Sequence, residues 1–362
     1  MLSRQKLSMF LHSKAFQVLI VCFAILALMP ILLRNSFFLF TFTLIFIFVI
    51  YAASWNFLAN SGQGSLGHSA FLGIGGFASA IIGRDITIAI ITWLGVYALP
   101  IGALSVLIQV SVLLAGGLLS AGIGLLIGLA CVRLKAWYLA MVTFGFSVII
   151  NTLSSQFDSF TNGINGFVPV QFVPSGYFFY FMVISFASAS IAAMYLIMRS
   201  RMGLAFRAMH GNEAEARMIG INTAKYKLIA FTISTFFAGI AGGLYVYFYQ
   251  FVDNSIFSPA NSFLPLIMSV IGGLGTVSGP IIGSIFFISV QQILTTQGVS
   301  QSLNATLGSY FPNSGYVGPP LTLLIIGVVL LVIVIFSPKG LTSLFRRFYN
   351  YLITEDDGAK SK

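Results

Sequence analysis

The chain has 362 residues, of which 58% are hydrophobic and 7% charged, and its mean hydropathy is +0.98. A soluble domain is about one quarter charged, so this composition excludes an ordinary water-soluble protein and predicts an all-α polytopic membrane protein. The formal net charge of +10 sits at the ends of apolar runs. There it sets orientation and gives no reason to invoke a nucleic-acid partner.

The N-terminal stretch MLSRQKLSMFLHSK is basic and precedes an apolar run. It lacks a small-residue cleavage site, so it reads as the entry to a first transmembrane helix rather than a signal peptide. Residues 1–16 are expected to form a basic cytoplasmic N-terminus, 17–341 the transmembrane domain and 342–362 a polar cytoplasmic tail. Apolar runs follow at 17–33, 37–58, 66–82, 86–108, 112–130, 137–153, 178–197, 228–250 and 318–336. Each approaches the roughly 20 residues that cross the hydrocarbon as a helix. The run 262–296 is broken by GGLGTVSGP at Gly272–Pro280, so it is either two short crossings or a hairpin of half-helices. The total is about 9–11 membrane elements, some of them broken or re-entrant.

Basic residues orient these elements. Arg4, Lys6 and Lys14 place the N-terminus inside, and Lys339, Arg346 and Arg347 place the C-terminus inside. Arg133, Lys135 and the segment Arg199–Lys227 also belong inside, which leaves 156–177 and 297–317 outside. Five crossings before Arg133 put it on the wrong side. Either the Gly-rich run 66–82 is re-entrant or broken, or the N-terminal assignment fails. Glycines cluster at Gly62–Gly76, Gly116–Gly128, Gly239–Gly243 and Gly272–Gly283. They fit close helix packing or, where polar residues accompany them, broken helices lining a path. Cys22 and Cys131 have no metal-ligand spacing and suggest no disulfide framework.

The most unusual segment is RSRMGLAFRAMHGNEAEARMIGINTAKYK, Arg199–Lys227, which places six basic residues, two glutamates and a histidine within 29 positions between apolar runs. Asn212 reads as a helix cap and Gly220 as a helix stop, bracketing a short helix of about eight residues. Leu204, Ala208, Ala214 and Met218 are placed towards the membrane body, with Glu213, Glu215 and Arg217 facing water. Such a helix either docks into a groove on a cytoplasmic partner or is an interfacial positive-inside loop.

Polar residues inside apolar runs mark the other candidates. His68 stands among Ser61, Gln63, Ser65 and Ser69. It lines a translocation path or hydrogen-bonds a neighbouring helix. Thr143, Ser147 and Asn151 recur every four residues and share a helical face. That stripe serves a path for a zwitterionic solute or interhelical hydrogen bonds. Tyr245, Tyr247, Phe248 and Tyr249 read as an interfacial aromatic belt. The acidic residues are Asp85, Asp158, Glu213, Glu215, Asp253, Glu355, Asp356 and Asp357. None lies deep in a span, which disfavours a proton- or sodium-coupled transporter acting alone. There is no Walker A sequence, no His-Glu-x-x-His and no dinucleotide fingerprint. No catalytic set or resident cofactor is expected, so the driving energy comes from an ion gradient or another subunit.

The run AMHGNEAEARMIGINTAKYKLIAFTISTFFAGIAGGL, from Ala208 to Leu244, resembles the cytoplasmic coupling region of bacterial ABC-importer permeases of the branched-chain amino acid class, and within it most closely the LivM type. Asn212, Glu213, Ala216, Gly220, Ile221, Tyr226, Lys227 and Ala230 match the family pattern, as do Gly239, Gly242 and Gly243. SGQGSLGHSAFLGIGGFASA (Ser61–Ala80) is similar to an early family segment, and VRLKAWYLAMVTFGFSVIIN (Val132–Asn151) to a second, with Ala136 where glycine is usual. TNGINGF (Thr161–Phe167) is a looser match, while GGLGTVSGPIIGS (Gly272–Ser284) and FSPKGL (Phe336–Leu341) resemble two late motifs.

The resemblance implies a permease subunit without its own ATPase site, set in the bacterial cytoplasmic membrane. Its implied partners are a homologous second permease, cytoplasmic ATP-binding subunits that bind the ATP, and an extracytoplasmic solute-binding protein. It implies that Arg207, Asn212, Glu213, Glu215, Arg217 and Gly220 serve ATPase coupling. Gln63, Ser65, His68, Thr143, Ser147 and Asn151 are the candidates for the translocation path. A urea or amide permease of the same superfamily is the alternative within the class.

Overall fold

The computed structural model describes residues 35–94, 102–132, 134, 136–157, 161–174, 176–296 and scattered positions between 324 and 342. The expected span at 17–33, most of that at 318–336, the basic residues Arg133 and Lys135, and the polar tail lie outside the described residues. The regular structure described is helical, α throughout apart from a 3-10 turn at Asn254–Phe257, with one isolated antiparallel bridge between Phe167 and Val252. Seven of the described helices are long and apolar enough to cross a membrane.

Helix α1 (Ser36–Ala59) is capped by the Asn35 side chain, which accepts from the Phe37 N–H. It is buried almost continuously from Thr41 to Leu58. A helix apolar on every side belongs in the middle of a bundle, and α1 packs against α5 (Tyr177–Arg199), α8 (Thr223–Tyr249), α9 (Pro259–Gly272) and α10 (Ser278–Thr295).

Helix α2 (His68–Leu94) runs without interruption through Arg84 and Asp85. The separate crossings expected at 66–82 and 86–108 are therefore one helix followed by the start of α3 (Ala103–Cys131). This removes one crossing before Arg133. The end of α3 lies beside the start of α8, where Gly128 approaches Leu228 and Phe231. The α3–α4 connection is thus on the same side as Arg199–Lys227, as the basic residues require. Helix α4 is Ala136–Gln156.

Helices α2, α3 and α8 pack backbone to backbone. A Cβ on Gly242 of α8 would overlap the Leu72 carbonyl of α2, so the two backbones touch. The Ser120 hydroxyl of α3 lies 3.0 Å from the Phe71 carbonyl and 2.9 Å from the Thr235 carbonyl, joining all three helices. Tyr247, expected in an interfacial belt, is instead buried and donates its hydroxyl to the Ser79 carbonyl at 3.0 Å.

The run 262–296 resolves into α9 and α10, joined at Gly273–Val277. At 14 residues α9 is short for a crossing. Gly272 and Gly279 approach so closely that a Cβ on either would strike the other's side of the turn. The hairpin hangs on one face of α1: Ser284 donates to the Phe48 carbonyl (3.3 Å), and the Ser269 hydroxyl lies 3.2 Å from the Ala52 carbonyl. One turn further, Asn56 holds the turn itself.

Candidate functional site

The Arg199–Lys227 segment folds as two helices, α6 (Arg201–Gly211) and α7 (Glu213–Met218). Ser200 caps α6 through the Met202 N–H. Asn212 caps α7 from the Ala214 and Glu215 N–H groups at 3.0 and 3.4 Å, and its own amide donates to Glu215 Oε1 at 2.6 Å. The Asn212 oxygen thereby satisfies two orphan donors at the helix start. Gly220 ends the element with φ +87°, a conformation that strains any side chain with a Cβ.

The orientation differs from the periodicity reading. The buried face comprises Gly203, Ala205, Phe206, Met209 and Ala216, whereas Leu204 and Met218 are exposed. Phe206 fills a slot between Phe57 of α1 and Tyr226 of α8. Met218 and Ile219 are 81% and 74% exposed, forming an apolar tip on an otherwise charged element.

Glu213, placed towards water by the sequence, is instead two-thirds covered. Its Oε2 lies 2.6 Å from Lys227 Nζ, and its Oε1 lies 2.6 Å from Arg217. Burial pushes this carboxyl up, but the hydrogen bonds from Lys227 and Arg217 outweigh it and hold the group below its ordinary range. Arg217 also donates from Nε to Thr223 Oγ1 at 2.9 Å. Arg207 joins α6 to the last turn of α5, donating to the Met198 carbonyl at 2.8 Å. His210 reaches α1, with Nδ1 3.1 Å from the Ala59 carbonyl.

A second polar cluster lies in the bundle. Residues Gln63–Gly67 are non-helical yet mostly buried, entering beside α1 where Trp55 Nε1 donates to the Ser65 carbonyl at 2.7 Å. Such backbone is tolerated among apolar helices only when protein groups satisfy it. Thr143 Oγ1 of α4 accepts from the Leu66 N–H at 3.2 Å, and a Cβ on Gly67 would overlap the Thr143 carbonyl.

His68 opens α2 and is fully buried. Its Nε2 lies 3.1 Å from Ser54 Oγ and 3.4 Å from Ser234 Oγ. Each serine hydroxyl already donates to a carbonyl, Ser54 to Tyr51 and Ser234 to Ser54, both at 2.7 Å. Nε2 must therefore carry the proton, which leaves Nδ1 an acceptor. Neither Nδ1 nor the buried Ser65 hydroxyl makes a hydrogen bond to the protein.

The structure brings Gln63, Ser65, His68 and Thr143 into one neighbourhood. Gln63 faces a small cavity that also touches Cys131, Leu139, Lys227 and Phe231. Ser147 is buried one turn further along α4, and its hydroxyl is spent on the Phe144 carbonyl. Asn151 is half-exposed and makes no described contact with the cluster. Sequence reasoning missed Ser54, Ser234, Trp55, His210 and Asn56 as members of these sites. Each acts across helices, and no sequence spacing connects them. Among the described residues no group of three or more His, Cys, Asp or Glu side chains is placed to hold a metal.

The chain is 26% identical over 335 residues to the high-affinity branched-chain amino acid transport system permease protein LivM of Salmonella typhimurium, covering 84% of this chain and 69% of that protein. The Escherichia coli LivM protein matches at the same identity and coverage. A probable branched-chain amino acid transport permease protein LivH of Methanocaldococcus jannaschii is 28% identical over 157 residues, covering 42% of this chain and 44% of its own length. No solved structure matches the chain. The family described as "Branched-chain amino acid transport system / permease component" matches residues 37–334, most of the sequence and all of the described bundle. This chain belongs to that permease family.

Proposed function

We propose that this chain is one of two transmembrane subunits of an ATP-driven importer for branched-chain amino acids in the bacterial cytoplasmic membrane. The family match across residues 37–334 carries this reading. Residues 1–16, 342–362 and Arg199–Lys227 face the cytoplasm, and 17–341 form the permease domain. A homologous second permease completes the pathway, and an extracytoplasmic binding protein delivers the solute.

The ATP-binding subunits, which bind and hydrolyse the nucleotide, dock on α6 and α7. The exposed Met218–Ile219 tip and the exposed Glu215 support this placement. Asn212 and Gly220 set the ends of α7, Glu213 and Arg217 fix it to the start of α8, and Arg207 fixes α6 to α5. Nucleotide binding favours one of two states through contacts that differ between them. Gln63, Ser65, His68 and Thr143 form the polar part of the path. Two buried polar atoms without protein partners, His68 Nδ1 and Ser65 Oγ, support that assignment. Ser147 and Asn151 extend the same face of α4 away from the cluster.

The test is reconstitution of the whole complex in liposomes, with ATP inside and leucine or urea offered with the binding protein. ATP-dependent leucine uptake supports the reading. Urea uptake without leucine uptake assigns the chain to amide transport, and uptake driven by an ion gradient without ATP overturns the subunit role.

A further inference from the structure

We propose that His210 and Asn56 are positioning residues that tie the ATPase-facing helices α6 and α7 to the α9/α10 hairpin, with the end of α1 as the strut between them. The inference rests on the reading that a partner ATPase pushes on α6 and α7. It concerns where that push goes next.

The observations are a continuous set of polar links. At one end of the strut, His210 in the last turn of α6 donates from Nδ1 to the Ala59 carbonyl of α1 at 3.1 Å. A carbonyl can only accept, so Nδ1 carries a proton in this bond. The rings of Phe206 and Phe57 pack edge to face beside it at 5.6 Å. One turn back along α1, the Asn56 side chain is buried and uses both ends of its amide. Nδ2 donates to the Thr276 carbonyl at 2.8 Å, and Oδ1 accepts from the Gly275 N–H at 3.1 Å. The same face of α1 carries the Ser269 and Ser284 bonds at Ala52 and Phe48. A displaced α6 must therefore move α1 or break the His210 bond, and α1 cannot move without the hairpin turn following.

The other anchor of α7 is the Glu213–Lys227 ion pair, which leads into α8. The two routes are chemically distinct: one is charged and one is built on uncharged amides and an imidazole. They can be cut separately, which makes the assignment testable residue by residue.

The experiment uses the assembled complex in lipid nanodiscs, in a background with Cys22→Ser and Cys131→Ser. Nitroxide labels sit at Leu274→Cys, 53% exposed at the hairpin turn, and Ile164→Cys, 73% exposed at the far end of the bundle. Distances between the labels are read with and without ATP plus vanadate, so the readout does not depend on the solute. ATP trapping is expected to shift the distance distribution in the unaltered chain. His210→Ala, compared with the unaltered chain at equal ATPase occupancy of the nanodiscs, should lose most of the shift. His210→Asn, which keeps a donor near the Nδ1 position, should restore it. Asn56→Ala should behave as His210→Ala, and the double variant should be no worse than either single one. An undiminished shift in His210→Ala overturns the relay while leaving the importer reading intact. Failure of His210→Asn to restore the shift also overturns it. Absence of ATPase assembly with the unaltered chain overturns both.

Discussion

The Glu213 carboxylate of α7 and the Lys227 ammonium of α8 stand 2.6 Å apart, with 32% and 9% of their side chains exposed. The pair makes the first residue of α7 an anchor for that short helix. Surface ion pairs are worth little, but the loss of one partner here leaves a nearly buried charge.

Glu213→Gln is accordingly expected to loosen α7, costing about 1–3 kcal/mol, the scale for a buried group left without its partner. Lys227→Met in the same chain should recover part of the loss. Thermal unfolding in detergent, with hydrogen exchange over 213–218, measures both effects.

The pH dependence of the same contact has a defined sign. Glu213 has a lowered carboxyl pKa in the fold, so its contribution is fully present above the unfolded carboxylate value. It disappears as pH falls through the lowered folded value. Protection of α7 from hydrogen exchange, corrected for intrinsic rates, should stay constant at neutral pH and fall only below the ordinary carboxylate range. Loss of protection between pH 6 and about 5 would contradict the pairing.

Gly67→Ala and Gly64→Ala separate packing from flexibility. A Cβ on Gly67 meets the Thr143 carbonyl, whereas one on Gly64 meets nothing within 4 Å. Backbone cannot swing aside as a flexible side chain can, so Gly67→Ala should cost about 1–3 kcal/mol or more. Gly64→Ala should be nearly neutral. Monodispersity on size exclusion and the thermal midpoint give the comparison.

Ser65→Ala tests the polar cluster. The hydroxyl is buried and unbonded within the protein, so removing it should leave the thermal midpoint unchanged or raise it. A role in the path predicts that solute uptake falls severalfold in the same variant. Uptake equal to the parent's would remove Ser65 from the path, and a large loss of stability would show that the hydroxyl is bonded in the fold.

Met218→Lys and Ile219→Asp should leave the bundle intact, since both side chains are mostly in water. They should weaken co-purification of the ATP-binding subunits. Ala216→Asp, at a position 2% exposed, should disturb the fold as well. Co-purification unchanged in both exposed variants would place the docking surface elsewhere.

Much of this architecture is written in local pattern. The spans at 37–58, 112–130, 137–153, 178–197 and 228–250 correspond to α1, α3, α4, α5 and α8, because long apolar runs have few alternatives in lipid. The break at Gly273–Val277 and the Asn212 cap follow equally local rules. Arg84 and Asp85 misled the count: paired side by side at 3.3 Å, they do not interrupt α2. The faces of α6 and α7 were also misread. Their burial is set by Phe57 and Tyr226 on other helices, and an apolar Met218 left in solvent follows no periodicity. The same limit hid the partners of His68, since Ser234 is 166 residues away.

The central position of α1 has a bearing on how the chain is made. Its Tyr51 hydroxyl meets the Asn261 carbonyl across 210 residues, and its Asn56 amide meets Gly275 across 219. During synthesis from the N-terminus, α1 enters the bilayer long before those acceptors and donors exist. Its serine-accepting carbonyls at Phe48 and Ala52 wait without penalty, because helix hydrogen bonds already occupy them. Asn56 and Tyr51 gain their partners only when α9 and its turn arrive, so the polar contacts of the most buried helix are completed late in synthesis.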